Sequence, residues 1–265
     1  GCASHAREGV GSTAQRGSLS STQGGGKKRG APLSSASLYL HVVGPGKIRT
    51  CPSFSPMKPQ EPVRAKITVI IPTCNGERYL GALLDSVQAQ TRAADEIIVV
   101  DSASTDSTLD IVRAYPQVQL LQIERAHFDH GGTRTLVAKM SLGDILVFLT
   151  QDAIPANNLA IAQLVAPLEQ EGNIAVTYGR QLPHSDASPF AAHLRLFNYP
   201  NIAEIPRCFA DRARLGLKTI FCSNSFAAYR RKELAEAGFF PERLLLGEDS
   251  FAVAKILQLG YCAQY

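Results

Sequence analysis

Apolar residues along this chain fall into short unbroken runs that alternate with stretches of helical spacing. Ile67-Thr68-Val69-Ile70-Ile71 reads as a buried strand stopped by Pro72. Tyr79, Leu80, Leu83, Leu84 and Val87 then recur every three or four residues, which predicts one buried face of a helix. The pattern repeats. A strand at Glu96–Val100 ends at Asp101, the Ser/Thr/Asp cluster from Ser102 to Thr108 suits a helix cap, and a helix presents Leu109 and Val112. A strand at Val118–Ile123, a helix near Thr133–Met140 and a strand at Ile145–Leu149 follow. The last strand has no polar residue, and a strand that apolar is covered on both faces. Strands alternating with helices at this spacing predict βαβ units and a parallel sheet, hence an α/β fold. The second half is less regular. Helices are expected at Ala160–Gln170, Phe190–Phe197, Arg231–Ala237 and Ser250–Leu259, with extended chain at Ile174–Tyr178 and Phe221–Tyr229. A further strand is expected to begin after Gly260-Tyr261.

Residues 1–65 differ in kind. They are rich in Gly, Ser and Pro, and include Gly24-Gly25-Gly26-Lys27-Lys28-Arg29. Such a segment cannot bury enough surface to offset its ordering entropy, so a disordered, low-complexity extension is expected there. The domain proper is expected at 66–265. The net charge of +4 is carried by the extension, and the remainder is mildly acidic, which argues against a nucleic-acid surface. Six scattered cysteines show no Cys-x-x-Cys and no zinc spacing, so reduced thiols are the expectation. No run of apolar residues is long enough to cross a membrane as a helix, and no signal peptide is evident.

Candidate chemistry sits at strand ends. Asp152 follows the apolar run Ile145–Leu149, at the carboxyl end where open α/β sheets bind ligands. A carboxylate there suits a divalent cation held against a phosphate, although a turn residue is the plainer account of Asp152 alone. Asp101 ends another strand, with a helix cap or turn as the competing account. Glu248-Asp249 precedes the last helix, where acids also favour the helix dipole. No Gly-x-Gly-x-x-Gly, Gly-x-x-x-x-Gly-Lys-Ser/Thr or Gly-x-Ser-x-Gly is present. Dinucleotide oxidoreductases, P-loop NTPases and the usual hydrolase elbow are thereby disfavoured.

Six segments in order carry a resemblance. Ile67–Asn75, Val100–Asp106, Phe128–Arg134, Thr150–Pro155, Asn224–Arg231 and Gly247–Asp249 together resemble the family 2 inverting glycosyltransferases, in their rhamnosyltransferase-like branch. The similarity covers about 66–265. It implies a GT-A fold, with a mostly parallel central sheet flanked by helices, and a dTDP- or UDP-sugar donor. It further implies that Pro72 and Thr73 line the nucleoside pocket and that Asp101 bonds the base, since an ionised carboxylate only accepts. Arg134 would meet the diphosphate, or be a surface or Asp129-paired arginine. Asp152 matches the metal-binding acid for Mg²⁺ or Mn²⁺, and Gln151 stands on the donor side where many members have a second acid. Asp249 resembles the catalytic base, and Glu248 would orient a loop or the acceptor. Asn224 and Arg230-Arg231 are candidates for an acceptor or an acidic membrane, with an ordinary strand edge bearing solvated arginines as the competing account, and His130 for a phosphate or a backbone-satisfied loop.

Ala103 replaces a usual Gly and Thr135 a frequent Asn. The chain stops before a His-bearing segment typical of the branch, so truncation after Tyr265 is expected. The expected activity is inverting transfer of a deoxyhexose such as rhamnose to a glycan or lipid-linked acceptor, at the cytoplasmic face of a membrane. The alternatives are a remnant that binds nucleotide or glycan without turnover, and a nucleotidyltransferase. The last would need a Gly-rich basic loop after the first strand, which Pro72–Arg78 fits poorly.

Overall fold

The computed structural model describes residues 64–202 and 205–265, so the expectation for residues 1–65 lies outside the described residues except at its last two positions. Within this unit the strands β1 (Ile67–Thr73), β2 (Glu96–Ser102), β3 (Val118–Ile123) and β4 (Ile145–Leu149) alternate with the helices α1 (Leu80–Gln88), α2 (Thr108–Arg113) and α3 (His130–Met140). Then come α4 (Ala160–Gln170), β5 (Ile174–Tyr178), α5 (Pro189–Asn198), β6 (Arg207–Cys208) and α6 (Arg212–Leu215). The chain finishes with β7 (Phe226–Arg230), α7 (Arg231–Glu236), α8 (Glu248–Gln258) and β8 (Cys262–Gln264). These strands form one eight-stranded sheet in the order β3-β2-β1-β4-β7-β5-β8-β6.

The pairs β1·β2, β1·β4, β2·β3 and β5·β8 are parallel, whereas β7 runs antiparallel to both its neighbours. Side chains on β1 and β4 alternate between two cores. Ile67, Val69, Ile71, Ile145, Val147 and Leu149 face α1, α2 and α4, while Ile70, Leu146 and Phe148 face α3, α7 and α8. This double cover explains why β4 carries no polar residue. The order 3-2-1-4 winds outward from β1 in both directions. The chain therefore heads toward β2 after β1 and toward β5 after β4, along the carboxyl edge where such sheets bind ligands.

One expectation is corrected. Cys208 on β6 lies opposite Cys262 on β8 in antiparallel register, and the two form a disulfide with Cα atoms 4.4 Å apart. The partners are 54 residues apart, and β6 has only two residues, so nothing local announced the pair. Cys74 and Cys222 are free thiols. The Ser102–Thr108 cluster caps α2 through Asp106, whose Oδ1 accepts from Thr108 N (3.0 Å), while the N-cap Ser107 makes no side-chain cap bond. The cluster also ties two loops together. Asn75 N donates to Ser104 Oγ (2.8 Å), Gly76 N to Thr108 Oγ1 (2.7 Å), and Thr105 N to Asn75 Oδ1 (2.9 Å).

Ala103 sits in that turn with φ of +56°. A left-handed conformation costs an L-residue with a Cβ roughly 1–2 kcal/mol. Ala103→Gly removes that strain but frees the unfolded chain. The expected net gain is about 0.5–1 kcal/mol, read as a melting midpoint raised by roughly 1–4 °C.

Candidate functional site

The carboxyl ends of β1 and β2 hold the first group of candidates. Thr73 and Asp101 are register partners on adjacent strands. Thr73 is buried and its hydroxyl donates to Val100 O (3.3 Å), while Ser102 Oγ donates to Thr73 O (3.1 Å). Asp101 is 0% exposed, and its carboxylate accepts from Ser104 N (3.0 Å) and from the Ser104 hydroxyl. A carboxylate so buried needs such donors, because leaving it unpaired would cost several kcal/mol. Pro72, half-buried, opposes Val100.

The turn after β4 holds the second group. Gln151 Oε1 accepts from Cys74 N (2.8 Å) and its Nε2 donates to Cys74 O (3.2 Å). The amide therefore joins this turn to the loop after β1, a use open to an amide but not to the second acid it replaces. Asp152 is half-buried, and its carboxylate has no hydrogen-bond or ion-pair partner among the described residues. It lines a cavity of about 1110 Å³ together with Tyr178, Arg180, His184 and Tyr265. Among the described residues no group of three or more His, Cys, Asp or Glu converges on a metal position. Asp152 thus fits a divalent cation only as a single carboxylate, with substrate phosphate oxygens and water completing the shell, as Mg²⁺ accepts.

The third group joins α3 to α8. Arg134 is only 6% exposed and reaches neither the surface nor Asp129. Its Nη1 donates to Glu248 Oε1 (2.7 Å) and to His130 O (3.2 Å). The Phe128–Arg134 motif docks the 239–249 segment onto α3. Asp129 caps α3 by accepting from Gly132 N (2.6 Å) and also accepts from Arg243 N (3.0 Å). A Cβ on Gly131 would lie 1.7 Å from Pro241 O, so only Gly permits this approach. Thr135 Oγ1 donates to Phe240 O and accepts from Phe240 N, both at 3.1 Å. His130 is exposed, its ring against Phe128.

Asp249 follows Glu248 at the head of α8. Its carboxylate accepts from Ser250 N (2.7 Å) and Asn224 N (3.4 Å). Burial, then the neighbouring Glu248 charge, raises its pKa above the usual carboxylate value, against those N–H groups and Arg134. Asn224 is itself fixed, because the Tyr229 hydroxyl donates to its Oδ1 (2.8 Å). Burial pushes the Cys222 thiol beside that hydroxyl up to about 12 and holds Tyr229 well above its ordinary value. Asp249, Asn224, Arg134 and Glu248 do not line the large cavity, but Ser225, next to Asn224, does.

The tandem arginines serve the fold. Arg230 donates to Leu168 O (3.0 and 2.6 Å), Glu171 O (2.8 Å) and Gly172 O (2.9 Å), which satisfies the carbonyl end of α4. Arg231 donates to Ser141 O (3.1 Å). The cavity's Arg180, Gln181, His184 and Arg195 went unnoticed in the sequence, since they lie on loops and a helix with no spacing signal.

A doubly covered sheet with acids ranged along its carboxyl edge is the GT-A fold. The chain belongs to glycosyl transferase family 2, whose profile matches residues 68–238. It is 46% identical over 201 residues to the O-antigen chain rhamnosyltransferase RfbN of Salmonella typhimurium strain LT2, covering 76% of this chain and 63% of the relative. It is 42% identical over 200 residues to the O-antigen chain rhamnosyltransferase WbaN of Salmonella anatum, covering 75% and 62%. The chain thus spans about three fifths of the length of these relatives. In fold it resembles S. aureus TarS 1–349 in complex with UDP-GlcNAc (TM-score 0.59, 24% identity, 75% of this chain and 55% of that one). It also resembles the mannosyltransferase PcManGT from Pyrobaculum calidifontis in complex with GDP-Man and Mn²⁺ (TM-score 0.54, 24% identity, 76% and 54%).

The Arg134–Glu248 pair is nearly dry, so losing one partner strands the other's charge. Arg134→Met or Glu248→Gln is expected to lower unfolding free energy by about 3–5 kcal/mol in urea titrations. Arg134→Met combined with Glu248→Leu should recover most of that loss.

Proposed function

We propose that residues 66–265 form a glycosyltransferase domain that moves a sugar, rhamnose or a similar deoxyhexose, from a dTDP- or UDP-sugar to a glycan or lipid-linked acceptor with inversion. Family membership and the likeness to two named rhamnosyltransferases support the class of reaction. The observation that carries the chemistry is Asp249. Its carboxylate is oriented by two backbone N–H groups, and burial and Glu248 raise its proton affinity. Such a group takes the proton of an acceptor hydroxyl as that oxygen bonds to the anomeric carbon. The bond from that carbon to the diphosphate breaks on the opposite side, which inverts the centre and releases the nucleoside diphosphate.

Thr73, Pro72 and the acceptor-only carboxylate of Asp101 would meet a uracil or thymine N–H once the Ser104 turn that buries Asp101 opens. Asp152 would hold Mg²⁺ or Mn²⁺, and the ion when bound supplies positive charge against the departing diphosphate. Gln151 supports the same turn through Cys74. Asn224 and Glu248 orient Asp249 and Arg134.

The acceptor is proposed to lie at the cytoplasmic face of a membrane, with the domain associated peripherally. Among the described residues no helix is long and apolar enough to cross a membrane. Helix α5 supports a surface contact. It has no buried residue, exposes Phe190 and Phe197 at 72% and 74%, and carries no acid. Phe190→Ser with Phe197→Ser should weaken cosedimentation with phosphatidylglycerol vesicles several-fold and leave donor hydrolysis unchanged.

Asp249→Asn is expected to lower kcat by about 10²–10⁴-fold in transfer from dTDP- or UDP-sugars with Mn²⁺. Nucleotide binding without transfer by the parent protein would return the non-catalytic reading. The base must be ionised, so the acid limb of kcat/KM should lie above about pH 4, where an ordinary Asp would put it. The stability effect has the opposite sign to that of a paired carboxylate. The folded state binds the Asp249 proton more tightly than the unfolded state, so stability falls as pH rises from the unfolded to the folded pKa. Asp249→Asn should accordingly melt no lower than the parent at neutral pH.

A further inference from the structure

The turn that carries Asp152 is held from two sides, beyond its own bond from Ile154 N to Asp152 O (3.2 Å), and the carboxylate is left alone. On one side, the Gln151 amide joins the turn to both polar atoms of the Cys74 backbone. On the other, His184 Nε2 lies 2.9 Å from the main-chain oxygen of Asp152 itself. A carbonyl oxygen only accepts, so Nε2 must carry the proton and donate. The His184 ring is in turn stacked on Tyr79, with centroids 4.8 Å apart and planes 20° from parallel. Two residues on, Asp186 pairs with Arg78, whose guanidinium lies 4.8 Å from the centre of the same Tyr79 ring. The 182–187 segment is therefore tied both to the start of α1 and to the turn after β4. It borders the cavity that Asp152 lines.

We propose that His184 is a positioning residue for Asp152, acting through the hydrogen bond to its carbonyl; this rests on the reading of Asp152 as a metal-binding carboxylate. Only two torsions separate the carboxylate of an Asp from its backbone, so clamping the carbonyl limits where the carboxylate points. That matters more here than in a site with several protein ligands. Asp152 is a single carboxylate, and Gln151, where a second would stand, is spent on Cys74. Groups that orient a ligand without touching the metal set its affinity in other proteins.

The test is Mn²⁺ binding to the full chain with UDP or dTDP present, followed by the electron paramagnetic resonance signal of free Mn²⁺. His184→Ala and His184→Phe should each raise the Mn²⁺ dissociation constant about tenfold, the Phe variant despite keeping a ring to stack on Tyr79. His184→Gln places an amide N–H near Nε2 and should stay within about threefold of the parent. Melting midpoints should differ by only a few degrees, and the Mn²⁺ concentration for half-maximal donor hydrolysis should follow the binding data. Parent-like Mn²⁺ binding by His184→Phe, or an equal loss in His184→Gln, would overturn the role of the hydrogen bond. Should His184→Ala fail to fold, the Phe and Gln variants decide alone. A parent protein that binds no Mn²⁺ with either nucleotide would overturn the metal reading of Asp152 and this role with it.

Discussion

The architecture follows from covering a hydrophobic sheet on both faces. Strands β1 and β4 present large aliphatic residues to each side, so helices must lie against both. With right-handed crossovers, that requires the chain to wind outward from β1 in two directions. The loops leaving β1 and β4 lead to α1 and α4 on one face, and the carboxyl edge they border is where polar groups can stand without entering the core. The position of Asp152 is thus a consequence of packing before it is one of chemistry. The loops do not drift freely, because Gln151 bridges them through Cys74 and the Asn75–Thr108 cluster ties the next pair.

A second constraint operates where the sheet stops being regular. Beyond β4 the chain must return α8 to the face already occupied by α3. The contact is closed by a buried ion pair, Arg134–Glu248, with Gly131 allowing the close approach of Pro241. Such a pair contributes little net stability relative to apolar side chains but penalises any arrangement that separates its members. It holds Asp249 at the head of α8 beside Asn224. Burial is the main cause of the raised Asp249 pKa, Glu248 adds to the rise and Arg134 opposes it, so this pair sets orientation and adjusts proton affinity.

The edge of the site around Asp152 is built differently. Polar contacts there run mostly between side chains and backbone, and the carboxylate itself stays without a protein partner among the described residues. A single carboxylate cannot enclose a cation, and it need not, when a diphosphate brings its own oxygens. Substituting an amide for an acid at 151 removes charge from the site but gains a donor, and the donor is what binds Cys74 O.

Much of the fold was legible because its signals are local. Apolar runs and helical spacing located β1 to β5 and α1 to α5 to within a few residues, and the double cover of β4 could be read from five residues alone. The acids at 101, 152 and 249 could be nominated for the same reason, since each follows or precedes a recognisable element. What could not be read depends on pairing between distant segments. The Cys208–Cys262 bond spans 54 residues and involves strands too short to show a period. The antiparallel direction of β7 is a property of its neighbours, not of its composition. Arg134 was nominated for a phosphate, and its carboxylate partner lies 114 residues away. Arg230 carries a charge that suggested a surface, yet it closes the end of α4. His184 carries no signal in the sequence, and only the fold brings it to Asp152. The sequence by itself determined which segments could be strands and helices and which residues carried useful chemistry, because propensity and burial act over a few neighbours. Only the tertiary structure decided which charges are spent on each other and which remain free for a ligand, because that choice is made by groups meeting across the sheet.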